Sequence, residues 1–214
     1  EVAEIVFATT SENDIAYSWS IDTEIGTQSL TGVGNIPLFE ADNDTNDPIV
    51  AIVTVTPSND ETDPSLTCEG SSIEFTITVN PTAQVDLVDS LDLCNGDTAV
   101  VDFTTSNGGV DSVTTYSWEI TGGDSVFASA ALTGAGNINL PVANDTNADL
   151  VATVTVTPTY TNDGVDCTGP SEEFTITVSP TAQVDQVDDI VVCNGDEVAE
   201  IVFATTSEND IAYS

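Results

Sequence analysis

Apolar residues recur at every second position along most of this chain. In EFTITV, Phe75, Ile77 and Val79 alternate with Glu74, Thr76 and Thr78, the pattern of a strand with one buried face. LVATVTVTP puts Ala152, Val154 and Val156 on one face and is expected to stop at Pro158, which has no N–H for a ladder. No stretch sustains a 3.6-residue period, and Val and Thr fill the alternating runs, so the fold class is all-β. The pattern predicts strands at 84–93, 99–105, 114–121, 138–143, 150–157 and 173–178. The turn sequences SNGGVD, LTGAGN, ANDTNAD and TNDGVD separate them.

The strand pattern repeats. EFTITVNPTAQVD at 74–86 returns as EFTITVSPTAQVD at 173–185, an offset of 99 residues, and residues 1–18 return unchanged at 197–214, a period of 196. Two related modules of 97 and 99 residues therefore alternate, each large enough for one core. The expected boundaries are 1–80 for a module lacking its first strand, 81–179 for a complete module and 180–214 for the start of a third. The chain reads as a window on a longer tandem array. Six or seven short strands per module, with a lone Trp in the third, predict immunoglobulin-like β-sandwich modules in an extended array. Trp19, Trp118, Phe75 and Phe174 are the expected core aromatics.

Composition narrows the function. The 214 residues contain no Lys, Arg or His against 37 Asp and Glu, a formal charge of −37. Such a chain has nothing to neutralise phosphates, so nucleic acid is excluded as a partner, and anionic membrane surfaces repel it. Catalysis by a His base, a Lys Schiff base or a Ser-His-Asp triad is excluded by inventory, and no carboxylate pair stands out, so an enzyme is not expected. Disorder is not expected either, because 40 % of residues are hydrophobic and fall in strand-like runs.

Several motifs carry a resemblance. The order Cys94-Asn95-Gly96-Asp97, YSW, TVTPT, Cys167-Thr168-Gly169-Pro170 and FTITV followed by Pro resembles the PKD-like modules of Bacteroidota surface proteins. The near-identical copies and acidic composition are similar to the giant repetitive adhesins of gliding members of that phylum. The resemblance implies secretion across the outer membrane, an extracellular, cell-surface location and a stalk role in a filament touching the substratum. It also implies O-glycosylation at Asp-Ser/Thr-aliphatic triplets, with Ser90, Thr98, Ser112 and Ser125 as acceptors.

Other candidate sites come from the residues alone. Cys68, Cys94, Cys167 and Cys193, one early and one late in each module, point to disulfides in an oxidising compartment. Pairing stays open between Cys94 with Cys167 inside a module and bonds between modules. Calcium is the one cofactor considered: Asp42 and Asp44 open an EF-hand-like loop without its Gly and Glu, and Asp86, Asp89, Asp163, Asp166, Asp185 and Asp188 gather near module boundaries. Asn43 and Asn144 begin NDT sequons.

These observations lead to an expected structural function, the stalk of a very long surface adhesin or filament for attachment or gliding. Its partners would be neighbouring modules and, outside this window, a surface or glycan ligand, with no membrane insertion in the window. Two alternatives are a glycan- or surface-binding module array, and a subunit of a non-covalent surface layer or pilus. Exposed loop aromatics would favour glycan binding, and Tyr160 and Phe127 are the main aromatics outside the predicted strands.

Overall fold

The computed structural model describes residues 2–8, 15–59, 68–123, 126–127 and 132–205. The described chain is all-β with several antiparallel pairings, consistent with a β-sandwich. It divides into two compact units: residues 1–84 with 106–114 and 159–169, and residues 85–105 with 115–158 and 170–214.

The first unit holds a four-stranded antiparallel sheet of β1 (Ile15–Ile21), β2 (Thr31–Val33), β3 (Ile49–Asn59) and β4 (Ile73–Val79), in the order β2-β1-β3-β4. Trp19 pairs with Val55 and with Gly32, and Ile49 pairs with Val79. Alternation puts Trp19, Ile21, Ala51, Val53 and Val55 on the buried face, where they meet Ile25, Ile36 and Phe39. Bridges of Val2 with Phe39 and Ile5 with Ile36 bring the start of the chain onto this core.

The second unit repeats the scheme. The remaining strands of the chain are β5 (Leu91–Cys94), β6 (Thr98–Val101), β7 (Val113–Gly122), β8 (Thr133–Ala135), β9 (Ile138–Pro141), β10 (Leu150–Asn162), β11 (Val165–Thr168) and β12 (Glu172–Ser179). The main sheet runs β5-β12-β10-β7-β8, β11 pairs with β10, and β6 and β9 form a separate antiparallel pair. The ends of β7 and β10, and all of β11, belong to the first unit. Phe103, Trp118, Val126, Phe127, Ile138, Phe174, Ile176 and Val178 lie in one buried cluster.

Several expectations need correction. The first predicted strand, 84–93, forms pairs only over Leu91–Cys94; earlier residues pack Val85 and Val88 on the core and bond Asp86 N–H to the Thr104 carbonyl instead. Pro158 does not end its strand: β10 continues to Asn162, since pairing to β12 ends at Val156 and pairing to β11 starts at Thr159, so Pro158 lies between two ladders. LTGAGN contains β8 as well as a turn. Phe75 is half-buried rather than fully buried, unlike Phe174. Tyr160 and Phe127 are 1 % and 3 % exposed, so neither is a loop aromatic open to a ligand.

Glycine explains how each Trp is seated. Gly32 and Gly134 lie against the six-membered rings of Trp19 and Trp118, and a Cβ at either position would run into Cζ2 and Cε2 of the indole. Both rings are thereby sealed, at 5 % and 7 % exposure, and their Nε1 atoms are buried without a partner. Gly134→Ala is expected to destabilise the fold by about 1–3 kcal/mol through overpacking, read as a lower urea midpoint; an unchanged midpoint would mean that the indole can shift freely.

Alkaline pH tests the same core. Burial raises the Tyr116 phenol above 10.0, the Asp86 carboxylate adds to the rise, and a hydrogen bond with Thr105 opposes it. The folded phenol therefore keeps its proton to higher pH than the unfolded one, so its contribution is complete below 10.0 and is lost as pH rises through the folded value. Stability measured by denaturant titration is expected to fall as pH rises from 10.0 through the folded value, and Tyr116→Phe to remove this part of the fall.

Candidate functional site

Two copies of one loop carry the polar architecture. In ANDTNAD the Asn144 amide donates to the carbonyls of Ala148 (2.8 Å) and Val178 (2.7 Å), while its Oδ1 accepts from Thr146 N–H (3.0 Å) and Thr146 Oγ1 (2.6 Å). The Asn144 N–H donates to Asn95 Oδ1 at 2.8 Å, and the residue is 2 % exposed. Asn43 repeats the set with Asp47 and Val79 carbonyls and Thr45. An Asn side chain fits because it offers two donors and an acceptor without a charge. The nitrogen that an N-linked sugar would occupy is thus committed to the fold at both sequons.

The first unit also contains a second polar assembly. The β10–β11 hairpin turns through Asp163 and Gly164, with φ of 49° and 76° between paired Asn162 and Val165, the geometry of a two-residue type I′ turn. This hairpin and the loop at 106–114 meet residues of the first repeat. Gly108 N–H donates to the Asn46 carbonyl (2.9 Å), Asn162 Nδ2 donates to Asn80 Oδ1 (2.8 Å), and Tyr160 Oη donates to the Gly108 carbonyl (2.9 Å). Asn107 accepts from Gln84 N–H and donates to the Thr82 carbonyl. Ala83 is fully buried, with Gly169 packed so close that a Cβ there would overlap the Ala83 carbonyl. Residues 80–84, where one repeat passes into the next, are therefore held by hydrogen bonds and close packing.

Asn80, Asn107 and Asn162 were not singled out by the sequence. Their signal was present only as Asn and Gly beside strand ends, which ordinary turns share.

The thiols are placed at strand ends. Cys94 closes β5 opposite Ser179, and Cys167 lies opposite Tyr160. Cys68 N–H donates to Asn59 Oδ1 at 2.6 Å. Cys94 and Cys193 each open an NGD turn in which the Asp carboxylate accepts the Cys N–H, at 2.8 and 2.9 Å. Cys68, Cys94 and Cys193 are exposed and Cys167 is half-buried, and no disulfide is formed among the described residues.

The candidate calcium ligands are not brought together. Among the described residues no three Asp, Glu, His or Cys side chains converge to hold a metal. Asp42, Asp44, Asp163 and Asp166 fall in the first unit, and Asp86, Asp89, Asp185 and Asp188 in the second. Asp86 accepts from Thr104 Oγ1 (2.6 Å) and Asp166 from Thr161 Oγ1 (2.7 Å), both local bonds. Of the candidate sugar acceptors, Ser90 Oγ bonds the Thr175 hydroxyl, Ser112 Oγ donates to the Gly108 and Gly109 carbonyls, and Thr98 is exposed in β6. Ser125 lies outside the described residues. Among those described, no helix is long and apolar enough to cross a membrane.

No known protein-family model matches the chain, and no curated protein matches it.

Asn144→Ala removes the side-chain donor to the Val178 carbonyl in a buried site, while the Ala148 carbonyl keeps Thr146 Oγ1, and is expected to cost about 1–3 kcal/mol. Asn43→Ala is expected to cost less, because Asn43 is half-buried. Denaturant midpoints of the two variants check the order; equal losses would show that burial does not set the cost.

Proposed function

We propose that this chain is part of the stalk of a very long extracellular surface adhesin or filament, built from tandem immunoglobulin-like modules of the PKD-like kind. The observation that carries the reading is the polar assembly of the first unit, in which a hairpin and a loop of one repeat are hydrogen-bonded to loops of the repeat before it. Such contacts suit a semi-rigid array better than independent beads on flexible linkers. The role is mechanical: repeats supply length, and the −37 charge keeps neighbouring fibres apart and discourages edge-to-edge association of strands.

The cysteines fit display in an oxidising, extracellular compartment. Ligand contact falls to parts of the protein beyond this window, on a surface or a glycan. The absence of Lys and Arg adds resistance to trypsin-like proteases, which find no cleavage site.

The test is the mass and shape of the native material. After denaturation and reduction a single polypeptide many times the 22.2 kDa of this stretch is expected, and negative-stain images are expected to show extended fibres. A species near 22.2 kDa, or compact globules, overturns the stalk reading.

A further inference from the structure

The segment EFTITV occurs twice with the same sequence and two different surroundings. In the second unit Phe174, Ile176 and Val178 are 4 %, 0 % and 0 % exposed, and β5 lies along β12 with Ile176 beside Leu91 and Ser179 beside Cys94. In the first unit Phe75, Ile77 and Val79 are only half-buried, and β4 has β3 as its one strand partner among the described residues. The end of β4 instead lines an open groove that Val2, Asn80, Asn162 and Cys167 share, all within the first unit.

Two more matched positions differ in the same sense. Asn144 N–H is bonded to Asn95 of the early CNGD turn, whereas no counterpart of Asn95 faces Asn43 among the described residues. At the other end of the chain, Ile190, Val191 and Val192 precede Cys193 as Leu91, Asp92 and Leu93 precede Cys94, yet they form no strand and are 51 %, 93 % and 48 % exposed. The CNGD turn after them is nevertheless formed as it is at Cys94. Among the described residues, β4 presents a strand edge without a neighbour, and residues 190–192 present the neighbour's sequence without an edge.

We propose that the free edge of β4 is filled by a strand of the same polypeptide preceding Glu1, with the sequence found at 188–196, and that its cysteine forms a disulfide with Cys167. This inference rests on the tandem-repeat reading above. Ser179 corresponds to Asn80, so the incoming cysteine falls beside Asn80 as Cys94 falls beside Ser179. Asn80 holds Asn162, which stands two residues along β10 from Tyr160, the cross-strand neighbour of Cys167. Asn80 and Cys167 line the same groove, so the added thiol enters the space that Cys167 faces.

Pairing inside one repeat has no such support. Cys94 stands beside Ser179, next to Val178 opposite Leu150, and Cys167 stands opposite Tyr160, ten residues further along β10. At 3.3 Å per residue that is about 33 Å, far beyond the roughly 7 Å between Cα atoms that a disulfide spans. In the first unit Cys68 likewise bonds Asn59, ten residues along β3 from Ile49, the partner of Val79. Each late cysteine thus belongs at the end of its repeat that meets the preceding one.

The bond forms by thiol–disulfide exchange. Two S–H bonds break, one S–S bond forms, and the two electrons and two protons pass to a donor disulfide of an extracytoplasmic oxidant, which leaves as two thiols.

The peptide DDIVVCNGD, activated at its cysteine as a pyridyl disulfide, provides the test on the 214-residue chain. Docking on β4 raises its effective concentration at Cys167, so coupling there is expected about fivefold or more faster than at exposed Cys68. Rates that follow exposure, with Cys167 slowest, overturn the placement. Oxidation of the chain alone should leave Cys167 without an internal partner; a Cys94–Cys167 or Cys167–Cys193 bond also overturns it. In the native protein, non-reducing digestion before Asp is expected to link the Cys167 peptide to one with the sequence of 189–195. Linkage to the 92–96 peptide, or a free Cys167, refutes the bond while leaving a giant native chain, and so the stalk reading, intact.

Discussion

A chain with no Lys, Arg or His has no internal counter-charge for any of its 37 carboxylates. Every side-chain donor is therefore neutral: amide, hydroxyl, phenol, indole or thiol. The fold answers this constraint with asparagine. Asn43 and Asn144 tie their loops to carbonyls at the ends of β4 and β12, and Asn46, Asn80 and Asn162 make or receive bonds that join consecutive repeats. Carboxylates near these places are used as acceptors from hydroxyl and backbone groups, as Asp97 accepts Cys94 N–H and Asp86 the Thr104 hydroxyl. Neutral bonds of this kind are little affected by salt, whereas repulsion among the carboxylates is screened by it. Cohesion and solubility thus depend on different chemical groups.

Burial in this protein is a property of neighbours as well as of sequence. EFTITV alternates identically in both copies, yet only the copy flanked by β5 is sealed. A period-two pattern states which face is apolar and leaves open whether anything covers it. The same holds for Asn43 and Asn144, whose side-chain bonds match while their exposure differs.

The all-β class, the turn at TNDGVD and the core role of both Trp residues were legible because strand alternation, Asp-Gly turn chemistry and aromatic burial are local signals. The short β8 was not, since Gly134 looks like turn punctuation until the indole of Trp118 is seen lying on it. Pro158 misled because a missing N–H matters only where a ladder asks for one, and β10 changes partners there. The polar assembly around Asn80, Tyr160 and Gly108 joins residues up to 82 positions apart, a distance at which no motif survives. With so many carboxylates, proximity in sequence carries little information about convergence in space, and no three of them meet among the described residues.

The boundary of the compact unit and the boundary of the repeat do not coincide, because residues 159–169 and 106–114 of one repeat fall in the unit of the repeat before. The second repeat consequently offers a hairpin, and loops of the first repeat receive it. Duplication of a whole 196-residue unit in the gene copies donor and receiver together, and loss of one by unequal recombination removes both. In the tandem array proposed above, length can then change without any new surface having to evolve.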